Sequence, residues 1–231
     1  MTKSMKKLLL VLMLFTIAAG AYAQTGNFTS ADESDPKAKA ILEEIRKRFL
    51  SYKSLGADFT LDITLADEPT ETQKGSLSQQ GKKYRVEMGS QSVISDGNTL
   101  WLILSYNKEV QINDMPEEGE MDGAILSPDA MLNFYDKGDF VYYLTNEYKE
   151  GARTVQQIEF KPMDRNADYS KLRMNVNKAT KDIISVEAFA KDGSRYKLSI
   201  DKLYPNKAFA ANYFTFDKAK YPGYYIEDLR E

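Results

Sequence analysis

The chain has no cysteine and no histidine among its 231 residues, and it has a single tryptophan. Without cysteine there is no disulfide, no thiolate nucleophile and no zinc–thiolate centre. Without histidine there is no imidazole metal ligand, and no Ser-His-Asp or Cys-His arrangement can be built. Gly-rich phosphate loops are missing as well. Positive charge is in the minority, with 31 Lys and Arg against 34 Asp and Glu. That balance argues against nucleic acid and anionic membrane surfaces as the main partners. No cofactor is implied. The chemistry left to an enzyme is carboxylate chemistry, for example a pair such as Asp62 and Glu87 meeting across strands. The acidic run Asp114, Glu117, Glu118, Glu120 and Asp122 matches no EF-hand spacing and reads as a solvated loop. The chain is read as a non-enzyme.

Long apolar runs are also scarce. The longest is Leu8 to Ala19, which follows Lys3, Lys6 and Lys7 and precedes Ala21-Tyr22-Ala23. It is too short for a membrane span, which needs about 20 apolar residues. Residues 1–23 therefore read as a secretory signal cleaved before Gln24, and the mature protein as exported. The signal carries three lysines and no acid, so the mature chain is more acidic still. Residues 24–34 are polar and turn-prone, a flexible leader, and 35–231 form one domain. A fold in an oxidising compartment without disulfides must be held by its core.

A helix opens the domain. Asp35 serves as N-cap and Pro36 as first helical residue. Ala38, Ile41, Leu42, Ile45 and Phe49 share one face, and Glu43–Lys47 and Glu44–Arg48 are i,i+4 pairs on the other. Gly56 is read as ending it. From residue 57 the period falls to two: Phe59, Leu61, Ile63 and Leu65 alternate with Asp58, Thr60, Asp62 and Thr64. Further strands follow, with turns at Asp96-Gly97-Asn98, Lys149-Glu150-Gly151 and Lys191-Asp192-Gly193-Ser194. About nine to eleven strands with hairpin-length links make an antiparallel sheet that curls or closes. A short helix from Ser127-Pro128-Asp129 and a helical turn within 205–214 interrupt the rhythm.

Aromatic and Met residues are plentiful: Tyr 15, Phe 11 and Met 9. They make either an ordinary core or the lining of an apolar cavity inside a curled sheet, and their spacing does not choose between the two.

The run Ser95-Asp96-Gly97-Asn98-Thr99-Leu100-Trp101 resembles the periplasmic outer-membrane lipoprotein carrier family, the LolA-like proteins. Ala57-Asp58-Phe59-Thr60, Gly75-Ser76-Leu77 with Tyr84-Arg85-Val86, Ser127-Pro128, Phe214-Thr215-Phe216, and the closing Pro222-Gly223 and Ile226 to Arg230 are similar in order and spacing. The resemblance runs from about residue 37 to 230. It implies a mainly β, α+β fold. This is an incomplete antiparallel barrel with an N-terminal helix and a short lid helix over an apolar cavity. It also implies a monomeric carrier that shields lipoprotein acyl chains across the periplasm. Such a carrier takes them from an inner-membrane ABC exporter to an outer-membrane acceptor. The cavity wall is expected from Phe59, Leu61, Ile63, Tyr84, Val86, Met88, Trp101 and Ile103, and the lid from Met131, Leu132 and Phe134. The family's lid-latching Arg has no clear match; Arg85 is the nearest, displaced along the hairpin. An alternative on the same fold is an envelope lipid-sensing or protein-interaction domain.

Overall fold

The computed structural model describes residues 33–115, 135 and 138–230. The signal, most of the leader, most of the acidic loop and the lid residues Met131, Leu132 and Phe134 lie outside the described residues. Ser34, placed in the leader by sequence, accepts from the Tyr142 amide at 3.3 Å.

Helix α1 spans Pro36–Leu50. The Asp35 carboxylate accepts from the Lys37 amide at 2.8 Å, and Ala38, Ile41, Leu42 and Ile45 are buried. The helix stops at Ser51, whose hydroxyl donates to the Arg48 carbonyl; Gly56 lies inside the first strand and terminates nothing. Nor does Glu44 pair with Arg48. Arg48 meets Asp182 at 2.9 Å and Lys181 meets Glu44 at 3.0 Å, because the wet edge of α1 lies against the 178–182 turn. A tertiary partner there replaces a local one.

Twelve strands follow among the described residues: β1 Leu55–Thr64, β2 Glu71–Gln80, β3 Lys83–Met88, β4 Gln91–Ser95, β5 Thr99–Leu104, β6 Glu109–Asp114, β7 Phe140–Glu150, β8 Arg153–Pro162, β9 Tyr169–Asn177, β10 Ile183–Ala190, β11 Arg195–Pro205 and β12 Tyr225–Asp228. They form one open sheet in the order β12-β6-β5-β4-β3-β2-β1-β11-β10-β9-β8-β7. The expected incomplete barrel is present, one strand larger than the sequence suggested. All ladders are antiparallel except β12 on β6, which is parallel. Residues 206–224 cross the sheet before β12 is laid down, so β12 arrives in the same direction as its neighbour. The three glycine turns are built as read, with positive φ at Gly97, Gly151 and Gly193. Asp96 holds its own turn by accepting from the Asn98 and Thr99 amides, each at 2.9 Å.

Register decides which side chains share a face. Leu144, Ile158, Met174, Val186, Leu198 and Leu61 stand directly opposite one another across six adjacent strands. The neighbouring row on the other face is Glu159, Arg173, Glu187 and Lys197. Helix α1 packs on the apolar row's side, which is the inner face. Its buried residues join Tyr135, Phe140, Tyr142, Ile158, Phe160, Met174, Val176 and Ile183 in one core cluster. On the outer face Lys171, Arg173 and Arg195 surround the Phe189 ring at 4.9, 4.8 and 5.4 Å. Burial alone would raise the Glu159 carboxyl. The hydrogen bonds from Lys171 and Arg173 outweigh it and hold the carboxyl below its ordinary range.

The outer face of β4–β6 is different: it is apolar and covered. Ile94, Ile103 and Val110 are buried there beneath Trp101, Phe216, Tyr221, Tyr224 and Ile226. Trp101 stacks on Phe216 with centroids 6.3 Å apart, and Phe216 on Tyr221 at 5.3 Å. The expected helical turn within 205–214 is a run of turns, with the Tyr213 amide bonded to the Ala210 carbonyl at 3.0 Å. Deleting the ring in Phe216→Ala should cost about 2–4 kcal/mol, as large-to-small changes in packed sites do. Trp101 is the only tryptophan, so its emission should shift to the red in that variant while denaturant unfolding moves to lower midpoint.

Candidate functional site: the apolar inner face

The second half of the inner face, carried by β1–β5 and β11, is built from alternate residues of each strand. Phe59, Tyr84, Val86 and Val93 are its buried centre. Around them Leu77, Met88, Leu100, Leu102, Met115, Leu198 and Ile200 remain partly exposed. The row Ala57, Leu77, Val86, Val93, Leu102 crosses five strands in register. Leu198 stands opposite Val186 of the helix-covered cluster, so the two clusters are continuous on one face.

One small residue makes the centre possible. Gly75 faces Phe59 across β1 and β2. A methyl group there would lie 2.4 Å from Phe59 Cζ and 2.7 Å from the Glu87 carbonyl oxygen. The phenyl ring therefore fills the space above the glycine. A β-bulge between Asp58 and Phe59 on the β11 side sets where that ring falls.

The sequence-expected wall divides in the structure. Phe59, Tyr84, Val86 and Met88 come together. Leu61 lies in the six-strand row, partly exposed, and Ile63 is buried opposite Tyr196. Trp101 and Ile103 are on the other face, under the C-terminal segment. The strand Thr99–Leu104 is apolar on both faces, so alternation gives no parity, and Leu100 and Leu102 are the inward pair. Leu77, Val93, Leu198 and Ile200 were not singled out by sequence reasoning. Leu198 and Ile200 were detectable by their alternation with Lys197 and Ser199. Leu77 sits in a strand, Glu71–Gln80, that is otherwise polar.

Arg85 does not reach the inner face. It pairs with Glu87 at 2.8 Å, lies 5.4 Å from the Tyr213 ring centroid and donates to the Tyr213 carbonyl. It fastens the C-terminal segment from outside. The carboxylates considered for hydrolysis are apart: Asp62 faces Thr72 and accepts from its hydroxyl at 2.7 Å, while Glu87 faces Ser76 and holds Arg85. Among the described residues no cluster of acids is arranged to hold a metal, and no helix is long and apolar enough to cross a membrane.

An open sheet with one continuous apolar face, part of it under a helix, is the class of fold that the chain presents. Within that class this chain belongs to the LolA family: the model for the outer membrane lipoprotein carrier protein LolA matches residues 51–217. Its fold is similar to that of an uncharacterised conserved protein from Thermus thermophilus, at 12% identity and a TM-score of 0.55, over 84% of this chain and 99% of that one. Looser likenesses are to a LolA superfamily protein from Nitrosomonas europaea (15% identity, TM-score 0.41, 78% and 98% covered) and to the Pseudomonas aeruginosa MucA/MucB complex (13%, 0.40, 79% and 62%). The family assignment rests on neither of these. Among curated proteins none matches the sequence.

Two outcomes follow from the packing. Gly75→Ala should destabilise the fold by about 1–3 kcal/mol through overpacking against Phe59, read as a lower denaturant midpoint with an unchanged slope. Burial pushes the Tyr84 phenol up to about 12. The folded chain then holds that proton more tightly than the unfolded chain, whose phenols ionise near pH 10. This stabilisation is complete below about pH 10 and is lost as pH rises toward about 12. Urea melts at about pH 9 and about pH 11 should show a smaller alkaline loss in Tyr84→Phe than in the parent.

Proposed function

We propose that this chain is a periplasmic carrier. It takes the acyl chains of lipoproteins onto its inner face at an inner-membrane ABC exporter and delivers them to an outer-membrane acceptor. The observation that carries this reading is the apolar row of Leu144, Ile158, Met174, Val186, Leu198 and Leu61, which continues beyond the helix-covered cluster to side chains that are only partly buried. Membership of the LolA family supports it. So does the N-terminal signal pattern, with cleavage before Gln24 placing the mature chain where such cargo travels.

The physical need is plain. Each CH₂ taken out of water is worth about 0.8 kcal/mol, so an acylated protein cannot cross an aqueous space unshielded. Release requires that the same contacts be given up. A face of Leu, Ile and Met side chains makes non-directional contacts, and nothing covalent has to be undone.

Because Trp101 faces away, binding is best read by native mass spectrometry with a triacylated lipopeptide and its non-acylated twin. A complex with the acylated peptide alone is expected. Leu198→Gln should weaken it at least tenfold while the fold persists, since that side chain is only partly buried. No acyl-dependent complex with the parent protein would remove the carrier reading and leave the protein-interaction alternative.

A further inference from the structure

The link from α1 to β1 holds one feature that neither the core nor the C-terminal segment explains. The Tyr52 hydroxyl is buried and has no hydrogen-bond partner, the one such side-chain atom among the described residues. An unpaired buried hydroxyl costs about 1–3 kcal/mol, and native structures satisfy nearly all such groups. Its ring is held firmly. It meets Phe49 edge-on with centroids 6.0 Å apart, and the Arg48 guanidinium lies over it at 5.9 Å. Arg48 is itself fixed by Asp182. The Tyr52 amide donates to the Phe49 carbonyl at 3.1 Å, and the next amide, of Lys53, donates to the Asn206 side chain at 2.9 Å. The backbone on both sides is therefore tied, and the phenol has little freedom to find another partner.

Its position is informative. Phe49 packs on the helix-side apolar cluster, and β1, which begins three residues after Tyr52, carries Phe59 of the other. Leu55 pairs with Pro205, so Tyr52 stands at the end of the sheet where β1 starts and β11 finishes. Through Phe49, which packs against the inner-face cluster, the Tyr52 ring adjoins that face, so an acceptor for its hydroxyl can come from a ligand lying there. An apolar ligand brings such acceptors when its chains are joined to its head by ester or amide carbonyls.

We propose that the Tyr52 hydroxyl donates a hydrogen bond to an ester or amide carbonyl at the head of an acylated ligand lying on the inner face, and so orients it. This rests on the carrier reading. The side chain is a positioning residue: it distinguishes acyl ligands from plain hydrocarbon chains of equal length.

The test is Tyr52→Phe in the full mature protein, with two probes. One is a triacylated lipopeptide. The other is its trialkyl analogue, in which ethers and an amine replace the ester and amide carbonyls. Affinity for the lipopeptide should fall about tenfold in the variant, and affinity for the trialkyl analogue should not change. Thermal unfolding of the ligand-free variant should occur at the parent's temperature or above it, because an unsatisfied polar atom has been removed. Unchanged lipopeptide affinity overturns the proposal and leaves the carrier reading standing. So does an equal loss for both probes, or a lowered unfolding temperature, which would mark the hydroxyl as structural. If the parent protein binds neither probe, the carrier reading and this inference fail together.

Discussion

The ladder between β1 and β11 is the join on which the whole sheet depends. On one side of it lie β2 to β6 and β12, on the other β7 to β10. Apart from this join, and β12 on β6, every ladder links strands that follow one another in the chain. This one brings together residues such as Thr60 and Asp201, which are 141 positions apart and hydrogen-bonded at 2.7 Å. Without it there would be two separate hairpin stacks, and the row from Leu144 to Leu61 would be cut between Leu198 and Leu61. The bulge at Asp58/Phe59 belongs to the same ladder and sets the phenyl ring over Gly75. Register here is thus both the structural joint and the reason the inner face is continuous.

Much of the architecture was readable before any coordinates. Asp35-Pro36 and the 3–4 spacing to Ile45 marked α1, since a cap and a buried face are local signals. The glycine turns marked the hairpins, because only a positive φ closes them tightly. What escaped was whatever depends on partners. The wet edge of α1 exchanged a local ion pair for contacts with Lys181 and Asp182. Tyr225–Asp228 carries no alternation that marks a strand, and it becomes one only because β6 offers an edge. Trp101 and Ile103 were assigned to the wall, yet both faces of their strand are apolar and the strand alone has no inside. The glycine that accommodates Phe59 was noted only for its place in the Gly75-Ser76-Leu77 run and not as a space. Resemblance led to the family. It did not supply the parity of β5 or the direction of Arg85.

The two faces of the sheet solve different problems with similar residues. Inside, Leu, Ile, Val and Met lie in cross-strand rows with few polar neighbours. Outside, beneath the C-terminal segment, the contacts are between rings: Trp101 on Phe216, Phe216 on Tyr221, Tyr221 on Tyr224. Ring contacts of this kind carry directional preference in addition to the area they bury. Aliphatic rows are more tolerant of rearrangement. The segment is also anchored by polar contacts, with Ser54 donating to the Lys207 carbonyl at 2.6 Å and the Asn206 amide bonded to the Ser54 carbonyl at 2.8 Å. Directional contacts are concentrated on the outer side, and the inner side keeps the aliphatic rows.

The parallel strand β12 is made long after β6, the neighbour it covers. During synthesis Ile94, Trp101, Ile103 and Val110 are completed well before the segment that lies over them. Until residues 214–228 are available, the growing chain presents an apolar patch and an unpaired edge on β6, the kind of surface that holdase chaperones recognise and that drives self-association. A message broken just after β11 would yield a product with nearly all of its sheet that remains adhesive. Translation through the segment that follows β11 is therefore built into the fold as a condition for closing that patch.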